Sequence, residues 1–209
     1  LSNKLLKLGS EILKKNNIKT YCLDSEVILS SLTGKPREKF LLDTDIKLNP
    51  YQISTFKELI YRRALKKEPV AYLLKSKEFW SLNFKVQKGV LIPRPETELI
   101  VENLVKYFNN DKLFILDVGT GSGCIIISLL MELKKSRGVA IDISSKALEL
   151  AKQNSRINNV LDRIKFYKLS IVNFDKFKFD LIVSNPPYVA SHQLKNLDDG
   201  IKFFEPKLA

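Results

Sequence analysis

The chain has 209 residues and a mass of 24.0 kDa, with 35 Lys and Arg against 23 Asp and Glu and a net charge of +12 at pH 7. Its 44% hydrophobic and 28% charged residues are a globular balance, which excludes a disordered chain, a collagen-like repeat and a coiled-coil rod. The longest apolar run, Cys124–Met131, is broken by Ser128 and is far short of the roughly 20 residues of a membrane span. Two cysteines, Cys22 and Cys124, make neither a disulfide framework nor a four-cysteine zinc site, so no metal is expected. The positive excess is mostly lysine. It reads as solvated lysine faces or as the footprint of a polyanionic partner, and no arginine-rich cluster supports the second.

The first part reads as a helical bundle over 1–67. Leu5, Leu6, Leu8, Ile12 and Leu13 recur at helical spacing, and Glu11 with the scarcity of Ser and Arg argues against a transit peptide. Asp24 is expected to cap a helix over Ser25–Leu32 that stops at Gly34, with Pro36 beyond. A third helical pattern runs over Ile53–Leu65. From Val70 the period changes. Phe79, Trp80, Leu82, Phe84 and Val86 are strand formers, Gln87-Lys88-Gly89 offers a turn, and Val90-Leu91-Ile92 returns towards Pro93. That predicts a hairpin linker over 68–93. Pro95 then opens a helix running to Phe108.

The remainder, within a domain over 94–209, alternates strand and helix. Strands are expected at Leu113–Val118, Gly138–Ile143, Ile164–Leu169 and Phe179–Ser184, and helices at Cys124–Lys134 and Ser145–Asn158. This is an α/β pattern with a parallel sheet covered on both faces.

Two motifs carry chemistry. Asp117-Val118-Gly119-Thr120-Gly121-Ser122-Gly123 lies between a strand and a helix, where glycines allow a sharp turn and close approach of a ligand. Asp142 ends the next strand, placed to accept hydrogen bonds from ribose hydroxyls. The spacing is G-x-G-x-G, with Cys124 where a dinucleotide fingerprint has its last glycine. The acidic Asp117 suits a cationic amino-acid end, and both details favour S-adenosylmethionine. The second motif, Asn185-Pro186-Pro187-Tyr188, ends the fourth strand. Two prolines fix the backbone and remove two N–H donors. What remains is the Asn185 side-chain oxygen, the Pro186 carbonyl and the flat face of Tyr188. Such a set suits a planar nitrogen bearing two hydrogens, oriented towards the sulfonium methyl group.

The tetrapeptide Asn185–Tyr188 occurs in methyltransferases of DNA adenine and of protein glutamine. Glu68-Pro69-Val70-Ala71-Tyr72-Leu73, Glu78-Phe79-Trp80 and Leu91-Ile92-Pro93-Arg94-Pro95-Glu96-Thr97-Glu98 resemble the PrmC/HemK family of release factor glutamine methyltransferases. Leu23-Asp24-Ser25-Glu26, Arg62-Arg63 and Phe204-Glu205-Pro206 extend the resemblance over essentially the whole chain. It implies a class I, Rossmann-like S-adenosylmethionine-dependent methyltransferase sheet behind an N-terminal helical domain that grips the release factor. The reaction implied is methylation of the N5 amide of the glutamine in that factor's Gly-Gly-Gln motif. Gly119, Thr120, Gly121, Ser122 and Gly123 would cradle the methionine part of the cofactor, Asp142 the ribose, and Ser170 and Ile171 the adenine. Asn185, Pro186, Pro187 and Tyr188 would bind the glutamine, with Asn185, Pro186 and Tyr188 catalytic and Asn185 also touching the cofactor. The family usually has glycine at the position of Lys75, a departure that bears on the turn before Glu78, and Asp or Asn at that of Ser170, where the shorter, uncharged serine implies weaker cofactor binding.

His192 reads as a solvated loop histidine, Cys124 as a small buried packing residue and Trp80 as hairpin packing. Gly34-Lys35 lacks the upstream glycine of a phosphate loop. The expectation is a cytoplasmic, monomeric enzyme whose partner is a protein, without a membrane and without a requirement for nucleic acid. A DNA adenine N6-methyltransferase and a non-catalytic binding fragment are the competing readings. The chain begins at Leu1 and stops abruptly at Ala209, and it holds four strands where the family's sheet has seven. It is therefore read as truncated, and as marginally stable or inactive alone.

Overall fold

The computed structural model describes residues 2–42, 46–109, 111–175, 177–186 and 199–206. They fall into two compact units.

The first unit takes residues up to Leu74 and a short helix at Asp199–Phe204. Helices α1 (Ser2–Lys15), α2 (Tyr21–Thr33) and α4 (Pro50–Lys66) surround a core of Leu13, Ile28, Leu29, Phe56 and Ile60, with short α3 (Glu38–Leu41) between the last two. At Gly9 α1 passes close to its neighbours: a Cβ there would meet a Phe56 ring carbon and the Ser25 hydroxyl at 2.7 Å each. Gly34 ends α2 in the left-handed conformation, as its sequence position predicts. Asp24 is not the cap of α2. The helix starts earlier, at Tyr21, and Asp24 lies buried in its first turn, where it accepts a 2.7 Å bond from Arg63 Nε of α4. A buried pair of this kind costs several kcal/mol to break from one side, because the surviving charge is left without a partner. The start of α4 is a capping box, with Asn49 Oδ1 accepting from the Gln52 amide and Gln52 Oε1 from the Asn49 amide. Val70–Leu74, read from sequence within the hairpin segment, is a helix, α5, led by Pro69, whose carbonyl accepts from the Tyr72 and Leu73 amides.

The second unit begins at Lys75, so the segment over 68–93 divides there. Lys75 has φ +56°, a left-handed backbone that favours glycine. The hairpin is shorter and turns earlier than the sequence suggests: β1 (Ser76–Phe79) pairs antiparallel with β2 (Leu82–Lys85). Its turn is Trp80-Ser81, both at φ +54°, not Gln87–Gly89. A bulky left-handed residue persists only where contacts over-determine it. Here Glu98 accepts from the Trp80 amide and Glu132 from its indole N–H, at 2.9 and 2.7 Å. After Val86 the chain forms no further strand up to Pro93.

Pro95–Thr97 is a single 3-10 turn leading into α6 (Glu98–Phe108). Four parallel strands follow: β3 (Phe114–Val118), β4 (Arg137–Asp142), β5 (Ile164–Lys168) and β6 (Leu181–Ser184), ordered β5-β4-β3-β6. Helices α7 (Cys124–Glu132) and α8 (Ser145–Ile157) connect β3 to β4 and β4 to β5. With α6, the apolar residues of α7 cover one face through Ile115, Ala140, Ile164 and Val183. The expectation of a sheet covered on both faces is met in a different way on the other side. There Leu116, Val139 and Ile141 are packed by Tyr167, Phe174 and Phe179 rather than by a helix, among the described residues. Phe114, Phe174, Phe177 and Phe179 stack at 4.7–6.2 Å between ring centroids.

The fully buried Asn154 of α8 joins the hairpin to the sheet. Its Oδ1 accepts from the Lys85 amide, and its Nδ2 donates to the Lys85 and Ser122 carbonyls.

Candidate active site

Strand register builds the site. Val118 lies opposite Ile141 on one side and opposite Ser184 on the other. One residue further, Gly119 therefore stands between Asp142 and Asn185. This is the switch point of an open parallel sheet, where the strand order reverses and ligands bind beyond the carboxyl ends. A cavity of about 590 Å³ opens there, within the range of pockets that hold a small-molecule cofactor.

The glycine loop forms its floor. The Gly119 and Thr120 amides both donate to the Ile141 carbonyl, at 2.9 and 3.0 Å. Gly119, at φ +70°, has open space where a side chain would begin, so a ligand can approach its backbone directly. Gly123 behaves differently. It does not line the cavity, and a Cβ on it would sit 2.9 Å from Ile127 Cδ1 and 3.1 Å from Ala151 Cβ. Its bareness lets α7 and α8 pack together.

Asp142 holds two loops at once. Its Oδ2 accepts from the Gly121 amide at 3.0 Å and its Oδ1 from the Ser144 amide at 2.8 Å. A carboxylate offers about four acceptor sites, so each oxygen keeps capacity for a hydroxyl in the cavity. Asp117 lies beneath the loop, 1% exposed, and is not part of the cavity wall. Its Oδ2 accepts from the Thr120 hydroxyl, 2.7 Å away. Burial raises its pKa to about 6, against the pull of the Thr120 hydroxyl and aided by the negative charge of Asp142. Cys124 is also buried, which pushes its thiol up to about 12 and leaves it unreactive at neutral pH.

Ser170 and Ile171, after β5, and Gly89–Leu91, from the loop past the hairpin, wall the far end. That loop is held to α8 by Val90 against Ala147 and Leu150, and by bonds between Lys146 and the Lys88 carbonyl and between Gln87 and the Lys146 carbonyl.

The near end combines Asn185 and Pro186 with Arg94, Thr97 and Pro206. Asn185 Nδ2 donates to Thr97 Oγ1 at 3.1 Å. Arg94 Nη2 bonds both oxygens of the buried Glu205 at 2.7 Å each. Burial raises the pKa of Glu205, and the adjacent guanidinium opposes that shift. Pro187, Tyr188 and His192 lie outside the described residues. Thr97 and the Arg94–Glu205 pair were not singled out from sequence as site residues. The only signal for them was their place within the 91–98 and 204–206 motifs.

Residues 94–202 match the methyltransferase small domain, and residues 4–74 match the PrmC N-terminal domain. A release factor glutamine methyltransferase of Buchnera aphidicola is 37% identical over 95% of this chain and 71% of its own length. The chain belongs to the release factor glutamine methyltransferase family. Another family member, from Fusobacterium nucleatum, is 38% identical over 95% of this chain and 57% of its own length. A bifunctional methyltransferase of Rickettsia prowazekii is 39% identical over 98% of this chain and 43% of its own. The chain thus spans about half the length of these two curated relatives. The PrmC N-terminal match stops at Leu74, where the first compact unit of this family member also stops before the hairpin.

Proposed function

We propose that the protein methylates the side-chain amide nitrogen of a glutamine in a peptide chain release factor, that of the Gly-Gly-Gln motif, using S-adenosylmethionine. The observation that carries this is that Asn185 and Pro186 line the same cavity as Gly119–Ser122 and Asp142. The cavity suits the cofactor in size, in the open face of Gly119 and in the spare acceptor capacity of Asp142. When bound, the cofactor supplies an electrophilic methyl group on a sulfonium centre.

The chain's own residues do the rest. Gly119 to Ser122 would receive the methionine end against bare backbone, Asp142 would take the ribose hydroxyls, and Ser170 with Ile171 would flank the base. Asn185 Oδ1 and the Pro186 carbonyl would each accept one N–H of the incoming amide. An amide nitrogen is a weak nucleophile. Two acceptors hold its plane and push electron density onto it, so orientation and electrostatics supply the rate. Pro187 and Tyr188 complete the substrate-binding tetrapeptide in this reading. A helical N-terminal unit ahead of this site suits a protein partner, and a translation factor as partner puts the reaction in the cytoplasm. Among the described residues no helix is long and apolar enough to cross a membrane.

Methyl transfer from labelled cofactor to a release factor and to its Gln→Ala variant tests the proposal. Label on the wild-type factor alone is expected; equal labelling of both would overturn it, and labelling of plasmid DNA instead would favour the adenine reading.

A further inference from the structure

Asparagine presents a choice that no backbone geometry makes for it. Its amide is nearly symmetric in shape, with an acceptor at one end and two donors at the other. With Oδ1 towards the cavity, Asn185 can accept an N–H from a substrate amide. Turned over, it would present its own NH2 to that N–H, and two donors would face each other.

In the structure the Asn185 NH2 is already engaged. Nδ2 donates to Thr97 Oγ1 at 3.1 Å, which leaves Oδ1 without a hydrogen bond among the described residues, on a side chain that lines the cavity. Thr97 is well placed for this. It is 6% exposed and closes the 3-10 turn Pro95–Thr97, where its amide donates to the Arg94 carbonyl at 3.0 Å. Proline on both sides of Arg94, at 93 and 95, restricts the backbone leading into the turn. Three residues back, Arg94 holds Glu205 with two 2.7 Å contacts. One short, proline-stiffened turn therefore grips the chain at two points twenty residues apart, Asn185 and Glu205.

We infer that Thr97 is the positioning residue of the site, its hydroxyl holding the Asn185 amide so that Oδ1 faces the substrate nitrogen. The inference rests on the proposed amide methylation for its catalytic consequence, but the orientation itself can be read without turnover. Thr97 acts through Asn185 and is not itself catalytic. A loss of the hydroxyl frees the amide to rotate, and a misplaced acceptor of this kind costs about tenfold to a hundredfold in kcat.

The test compares Thr97→Val with Thr97→Ser. Thr97→Val is expected to lower kcat at least tenfold with the dissociation constant of S-adenosylmethionine unchanged, and Thr97→Ser to restore it. In parallel, the Asn185 side-chain NH2 resonances, assigned by their loss in Asn185→Asp, report the hydrogen bond directly. One proton should be shifted and slow to exchange in the wild type and in Thr97→Ser, and not in Thr97→Val. If Thr97→Val does not fold, Thr97→Ala takes its place in both measurements. Resonances indifferent to Thr97 would overturn the inference, as would a loss of cofactor affinity matching the loss of rate, which would make Thr97 a direct cofactor contact. A wild-type chain that labels no release factor, while its Asn185 resonances still depend on Thr97, would remove the proposed function and leave the positioning role standing.

Discussion

Asp117 ties the chemistry of the glycine loop to the stability of the fold. Its folded pKa, about 6, lies above the ordinary value of 3.8. A carboxyl whose pKa is raised on folding contributes stability that is complete below about pH 4 and lost as the pH rises through 6. The difference corresponds to about 3 kcal/mol. Asp117→Asn keeps an acceptor for Thr120 and removes the titration. Urea unfolding of both proteins from pH 4 to 8 should show wild type losing stability relative to the variant as the pH rises, and parallel curves would contradict the burial argument. Ser170 lines the far end of the cavity with a short, uncharged side chain. Ser170→Asp is expected to tighten S-adenosylmethionine binding by about 1 kcal/mol, the gain of a charged over a neutral hydrogen bond. Calorimetry checks this, and an unchanged dissociation constant would refute it. At this scale the sequence was informative where a residue's neighbours in the chain decide its setting, as at Gly119, Asp142 and Gly34. It was silent on Asp24, whose partner Arg63 is 39 residues away, and on Gly123, whose role is set by Ala151 in another helix.

Among the elements, the strands and helices of the sheet were legible to within a residue or two, because a buried parallel strand and an amphipathic helix each carry their own period. The hairpin was not. Gln87-Lys88-Gly89 holds the better local turn signal, yet the turn forms at Trp80-Ser81. Glu98 and Glu132 stabilise it from 18 and 52 residues away, and no local propensity reports on such partners. Val70–Leu74 misleads in the opposite sense, since it is a single helical turn made of residues that also suit a strand. The Arg94–Glu205 contact has a measurable consequence for these elements. Glu205 is almost fully buried in its side chain, so Arg94→Met leaves a carboxylate without its partner and should cost about 3 kcal/mol. The double variant Arg94→Met/Glu205→Met should recover most of that loss in the same urea titration. If the double variant instead costs the sum of the two single variants, the pair contributes nothing through charge.

For the molecule as a whole, the class of fold was readable from strand and helix alternation and the ligand end of the sheet from the glycine loop. The covering of the second sheet face was not. No helix signal lies between β5 and β6, and the phenylalanines there carry no period that assigns them to a layer. In the structure Phe174, Phe177 and Phe179 supply that layer with Phe114, and Arg137 sits 4.9 Å above the Phe114 ring. Ile182 on the same side remains 61% exposed. Phe179 packs on the core of this face, whereas Phe177 is 40% exposed. Phe179→Ala is therefore expected to lower the unfolding free energy by about 3 kcal/mol, and Phe177→Ala by clearly less. Equal losses would mean that the aromatic layer is not organised around Phe179.

Asn154 gives the hairpin a partner outside its own two strands. A two-strand ribbon is local in sequence and would ordinarily form early, but this one turns through two left-handed non-glycine residues and so starts at a disadvantage. The contacts that offset it come from elsewhere: Asn154, which treats both main-chain groups of Lys85 as a neighbouring strand would, and the two glutamates at Trp80. The ribbon is therefore held from α6, α7 and α8 as well as by its own pairing. Because the same amide also grips the Ser122 carbonyl, the hairpin and the glycine loop share one anchor, and a change at Asn154 reaches both.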